Sequence, residues 1–233
     1  MAKTKRKTLA ERELPTYTKG EEIFNMVTHI VGAAFAIVAI VLMVVFAALR
    51  HNTWGVVSGA IYGASMFLVY VISSVYHGLS PKGKATGKKV MQVIDHCDIY
   101  YLIIGSFAPI ALTGLREANP FLAWGSFGFV TLVCVVGTVF TAIDFNKFKW
   151  ISYGSYFLAG WGVLVTLKLM LEVYSSGFIW LLIIGGLVYT SGMIFFVLQT
   201  KSFKYFHSIF HLFILGGTAL QFIAIFKYCI LGA

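Results

Sequence analysis

Seven long apolar stretches, separated by short polar links, set the pattern of this chain. They fall near residues 24–49, 54–79, 93–114, 121–143, 151–172, 178–199 and 206–230. Each reaches the roughly 20 residues that a helix needs to cross a bilayer. The third is interrupted at its start by Asp95, His96 and Asp98, and the links carry turn residues: Ser80-Pro81-Lys82-Gly83, Asn119-Pro120 and Ser175-Ser176-Gly177. Short links between antiparallel helices predict an up-and-down bundle. The expected fold is therefore all-α: a polytopic membrane protein, with a seven-helix transmembrane domain over residues 23–233 behind a basic tail over residues 1–22. The first apolar run is far longer than the ~7–15 residues of a signal-peptide core, so it predicts a first span and not a leader. No internal repeat is visible, and an odd span count fits poorly with the paired repeats of many transporters.

Composition supports the membrane reading. The 233 residues are 59% hydrophobic and 12% charged, against about 25% charged in soluble domains, and mean hydropathy is +0.85. The net charge of +9 does not point to nucleic acid, because the basic residues sit in tails and short loops. Fourteen of the eighteen lie in the N-terminal tail or in the loops after spans two, four and six; Arg50, Arg116, Lys168 and Lys227 belong to the other side. The bias of Lys and Arg toward the cytoplasm places the N-terminus inside and the C-terminus outside. Cys97, Cys134 and Cys229 form no paired spacing and predict no disulfide framework.

That orientation brings the unusual polar residues to one depth. His77 ends span two, Asp95, His96 and Asp98 open span three, His207 and His211 open span seven, and His29 opens span one. Ionisable groups inside spans are costly and usually functional; the alternative is that they rest among lipid headgroups. Residues four apart share a helix face, which pairs His207 with His211 and Ser73 with His77. On spacing alone such a histidine pair is either packing or half of a metal site. With His77 it offers three imidazoles, and three protein ligands with an open position is the pattern of catalytic zinc. Asp95 is then the candidate general base and Ser73 a candidate hydrogen-bond partner for the attacking water. Asp98, three residues on, shares nearly the same face, so the two carboxylates are interchangeable at this stage. Cys97 is turned about 100° from Asp95 and reads as a small buried thiol. A haem fits less well, since two histidines one turn apart on one face suit a single small ion.

At these residues the chain resembles the hemolysin III branch of the progestin and adipoQ receptor family, within a superfamily that includes alkaline ceramidases. The matching pieces are Glu22-x-x-Asn25-x-x-Thr28-His29-x-x-Gly32, Ser73-x-x-x-His77, Asp95 with Gly105-Ser106-Phe107-Ala108-Pro109 behind it, and His207-x-x-x-His211. Their order, span by span, carries the resemblance from about Glu21 to the end of span seven. It implies a seven-helix fold with zinc held by His77, His207 and His211 on the cytoplasmic side, and Ser73 and Asp95 around the attacking water. It also implies that His29 is a polar packing residue; Asn25 is expected to cap or anchor its helix. The long N-terminal domain of the animal receptors is missing, so no hormone-receptor role is carried over, and the compact chain is expected in a bacterial cytoplasmic membrane.

The function expected from these readings is a zinc-dependent intramembrane hydrolase. Its substrate would be a membrane lipid or fatty-acyl amide or ester entering from the bilayer, in the service of membrane-lipid or membrane-energetics homeostasis. Two alternatives stand beside it: a non-enzymatic, zinc-containing lipid sensor, and a hemolysin-type pore or ion transporter. No span carries a line of polar residues across the full bilayer, which counts against a simple pore.

Overall fold

The computed structural model describes residues 8–80, 85–199 and 204–232. Among them are six helices long and apolar enough to cross a membrane, and no strand. They are α1 Lys19–Leu49, α2 Thr53–Gly78, α3 Thr86–Ala118, α4 Pro120–Val173, α5 Ser176–Leu198 and α6 Phe206–Ile230. Of the residues used above for orientation, Lys3, Lys5, Arg6, Lys7, Lys82, Lys84 and Lys201 lie outside the described residues, as does most of the Ser80–Gly83 turn.

The expected fourth and fifth stretches are joined in α4. As a straight rod, 54 residues would be about 80 Å long, far beyond the roughly 30 Å hydrocarbon core. The backbone leaves helical geometry at Asp144 (φ −169°, ψ 95°) and Phe148 (φ −107°, ψ 17°), and the chain folds back on itself there. Thr141 and Ser152, eleven residues apart, place their hydroxyl oxygens 2.8 Å from each other, which no continuous helix allows. Gly137 faces Ser155, and Gly162 faces Val130, in the same antiparallel register. α4 is thus two antiparallel arms. Tyr100 of α3 bridges them, its hydroxyl reaching Thr141 Oγ1 (3.4 Å) on the first arm and Ser155 Oγ (2.8 Å) and the Ser152 carbonyl (3.3 Å) on the second, with its ring stacked on Tyr156 at 4.3 Å.

Two helix starts differ from the pattern of apolar residues. α1 begins at Lys19, inside the expected tail, because Thr18 and Glu21 form a reciprocal capping box: Glu21 N–H donates to Thr18 Oγ1, and Thr18 N–H to Glu21 Oε2. Asn25 is therefore not a cap; it is fully buried inside the helix. α3 begins near residue 86 and not 93, taking Lys88 and Lys89 into its first turns. Charge alone hid this start, since Lys88 is buried by an ion pair that the sequence does not reveal. At its other end α3 contains Pro109, which cannot donate a backbone bond. A wide turn at Ala111–Leu115 follows, where Thr113 Oγ1 donates to the Pro109 carbonyl (2.6 Å) and Tyr174 OH to the Ile110 carbonyl (3.2 Å).

α1 packs on α2 and α6, α2 on α3, α3 on the α4 hairpin and α5 on α6. Small residues let backbones approach, as membrane helices require where water gives no drive to associate. At Gly32 a Cβ would stand 2.6 Å from the Tyr70 ring. The α1–α6 seam is tied at both ends, by Glu21 Oε1 accepting from Tyr205 N (2.7 Å) and by Arg50 donating to the Leu231 carbonyl. Tyr205 takes a left-handed conformation (φ 62°) that turns the chain into α6 and its histidines.

Candidate metal and hydrolase site

Two helices, α2 and α6, bring three histidines together at one end of the bundle. The nitrogen atoms of His77, His207 and His211 that face each other all lie within 4.8 Å of one another, and all three residues are buried. His207 Nε2 and His211 Nε2 are 2.9 Å apart. The i, i+4 spacing on α6 gives that pair, and the end of α2 supplies the third ring. This set can hold a metal ion.

His77 shows how the site is prepared. Its Nδ1 lies 2.6 Å from Glu22 Oε2, while its buried Nε2 has no protein partner. A carboxylate on one ring nitrogen leaves the other free to ligate, the usual arrangement of metal-binding histidine. Glu22 is itself gripped by Lys88, whose Nζ donates to Glu22 Oε1 (2.5 Å) and to the Leu79 carbonyl (2.8 Å). Lys88 thereby fastens α3 to α1 and to the end of α2. The donor set of three imidazoles, one already oriented and left with an orphaned nitrogen, fits a zinc-sized cation.

Asp95 and Ser73 join this cluster. Both are buried, Ser73 lies beside the Asp95 carboxylate, and Asp95 lies within electrostatic reach of His77. Asp98 is buried too, but it makes no hydrogen bond to Ser73 or to the triad. The geometry therefore favours Asp95 of the two. His29 stands edge-on to Tyr70 (5.3 Å) and 4.0 Å from the His211 ring, and neither of its buried ring nitrogens has a hydrogen-bond partner. His96 is packed on Phe145 at 4.3 Å, and its carbonyl accepts from Tyr156 OH.

Tyr17 covers the triad from the N-terminal segment. Its ring stacks on His207 (5.0 Å, 23° between planes) and leans on His77 (5.7 Å), and its hydroxyl donates to Gln199 Oε1 at 3.2 Å. Burial, with the charges of Asp95, Glu22 and Glu21 added, pushes the phenol well above its ordinary pKa, so it stays a donor. Arg12 holds the segment down by donating to the Ala142 and Ile143 carbonyls, where the first arm of α4 ends. Sequence reasoning did not single out Tyr17 or Lys88, and quoted Glu22 only as the first residue of the α1 motif, without a role at the site. Glu22 had a signal, since Glu22, Asn25 and His29 share one face of α1; Tyr17 and Lys88 had none.

An apolar cavity of about 480 Å³ starts beside the site, bounded by α3, the second arm of α4, α5 and α6. Its wall includes Val69, Ile99 and Ile214, each one helical turn from Ser73, Asp95 and His211 respectively.

The family signature described as haemolysin-III related matches residues 17–222, which include all three clustered histidines. The chain belongs to this family. It is 34% identical over 219 residues to the hemolysin-3 homolog of Bacillus subtilis strain 168, covering 92% of this chain and 97% of that protein. Hemolysin-3 of Bacillus cereus is 33% identical over 209 residues, 89% of this chain and 91% of its own. The human monocyte to macrophage differentiation factor is 29% identical over 216 residues, covering 89% and 84%. With six apolar helices long enough to span, this member of the haemolysin-III related family is a multi-pass membrane protein, in bacteria a protein of the cell membrane.

Proposed function

We propose that the chain is a zinc-dependent intramembrane hydrolase of lipid-like amides or esters. The observation that carries this reading is a three-histidine cluster beside Ser73 and Asp95, with the wall of an apolar cavity one helical turn away at Val69, Ile99 and Ile214. Its volume falls in the 300–1,000 Å³ range typical of small-molecule sites. His77, His207 and His211 would hold the metal, which when bound polarises a carbonyl and makes water a better nucleophile. Asp95 takes the proton from the attacking water and returns it to the leaving amine or alcohol. Ser73, beside Asp95, fixes the carboxylate's direction. Glu22 keeps His77 in the tautomer that presents Nε2, and Tyr17 keeps bulk water off the cluster. The cavity takes the acyl chain, so that the carbonyl end lies at the cluster.

The two arms of α4 each cross the membrane in this reading, giving seven crossings. The distribution of Lys and Arg puts the N-terminus and the site at the cytoplasmic face. The test is hydrolysis of a panel of lipid amides and esters by purified protein in vesicles, with Asp95→Asn as the control. Turnover that disappears in Asp95→Asn while zinc content is kept supports the hydrolase. Equal behaviour of the two proteins supports a sensor with structural zinc.

A further inference from the structure

The cavity also reaches the outer surface at Trp150, next to the charged bend of α4. Four residues of its wall, Trp150, Phe157, Ile194 and Leu198, are also 71%, 60%, 56% and 52% exposed on the outer surface. The space thus opens sideways between the second arm of α4 and α5, toward lipid. At the rim Lys149 Nζ sits 5.6 Å from the centre of the Trp150 ring, and Lys147 Nζ 5.4 Å from that of Phe148. Both lysines are exposed. Asp144, the one acidic residue of the hairpin bend, is buried and accepts from the Lys147 backbone N–H. A line of ring contacts joins this rim to the site: Trp150 to Tyr153 (5.7 Å), Tyr153 to Phe196 (5.9 Å) and Phe196 to His207 (6.0 Å).

We propose that this mouth binds an anionic phospholipid, with its phosphate on Lys147 and Lys149 and one acyl chain in the cavity. An apolar slot open to the bilayer selects a chain, and two cations on an aromatic rim select a negative headgroup over a zwitterionic one. Lysines close to a membrane surface attract anionic lipid, and two of them together favour it by about thirtyfold. Trp150 suits such a rim, since indoles settle at the headgroup level. This inference goes beyond the hydrolase reading: with the phosphate at the mouth, the ester carbonyls lie there too, three ring contacts from His207, so the lipid is retained and its retention requires no turnover. A chain that retains the lipid and hydrolyses nothing would uphold this proposal and sink that one.

The test is native mass spectrometry of the full chain, extracted in mild detergent from vesicles of equal phosphatidylglycerol and phosphatidylcholine with a minor share of oleate. The native chain is expected to retain one phosphatidylglycerol about thirtyfold more often than one phosphatidylcholine. Lys147→Ala/Lys149→Ala should bring the two to parity, whereas Lys227→Ala, on the helix end distant from the rim, should leave the preference intact. Gly186→Leu, which fills the cavity beside Trp161, should lose both lipids. Equal retention by the native chain, retention of oleate in place of phospholipid, or a preference that survives the double lysine change would each overturn the proposal.

Discussion

Glu22→Gln is the substitution that separates a prepared metal site from three histidines that happen to meet. The change keeps the side chain's size and removes its charge. Two bonds are affected: the 2.6 Å contact with His77 Nδ1 and the 2.5 Å ion pair with Lys88. The first sets zinc affinity. Losing an outer carboxylate that orients a ligating histidine lowers affinity about 10–100-fold, or roughly 1.4–2.7 kcal/mol. The second sets stability. The Lys88 side chain is 2% exposed, and stranding one partner of a buried pair costs about 3–5 kcal/mol. Glu22→Gln should therefore bind zinc more weakly in a chelator competition and also unfold earlier on heating. Adding Lys88→Met removes the stranded charge, so Glu22→Gln/Lys88→Met should recover most of the thermal stability without recovering zinc affinity. Unchanged zinc affinity in Glu22→Gln, measured on folded protein, would refute the claim that Glu22 positions His77.

Further expectations concern the cover, the base and the packing. Tyr17→Ala uncovers His207 and should speed zinc loss to a chelator several-fold, with little change in the amount bound at equilibrium. Asp95→Asn should retain zinc and lose hydrolysis, by at least the roughly 10²-fold that general-base catalysis contributes. Gly32→Ala forces a methyl group against the Tyr70 ring and should destabilise the folded protein by about 1–3 kcal/mol, read as earlier thermal unfolding in detergent.

Much of this architecture is legible in hydrophobic patterning. Five of the apolar stretches correspond to helices α1, α2, α3, α5 and α6, because lipid imposes the same length requirement on each. The bend at Asp144–Phe148 is visible in the sequence only as a polar interruption of Asp144, Asn146, Lys147 and Lys149, and in the fold it is the turn of a hairpin assigned as one helix. The triad was readable for a physical reason. A helix shows which residues share its face, and the orientation rule fixes their depth, so His77, His207 and His211 could be placed together before any coordinates. Lys88 was not readable in this way. It lies in a run of lysines that ordinarily marks a solvated loop, and only the position of Glu22 on a different helix makes one of them a buried link. Tyr17 was hidden similarly, since a tyrosine in a polar tail carries no sign that the chain will fold back over His207. Contacts made within one helix follow from spacing; those made across three helices need the packed bundle.

The measurement that bears most directly on the central claim is zinc content per purified chain, for the native sequence and for His211→Ala. The account predicts about one zinc per native chain at the three-ligand site, and its loss when His211 is removed from the cluster. A native chain purified without chelators that carries no zinc, or a His211→Ala chain that keeps it, would contradict the account.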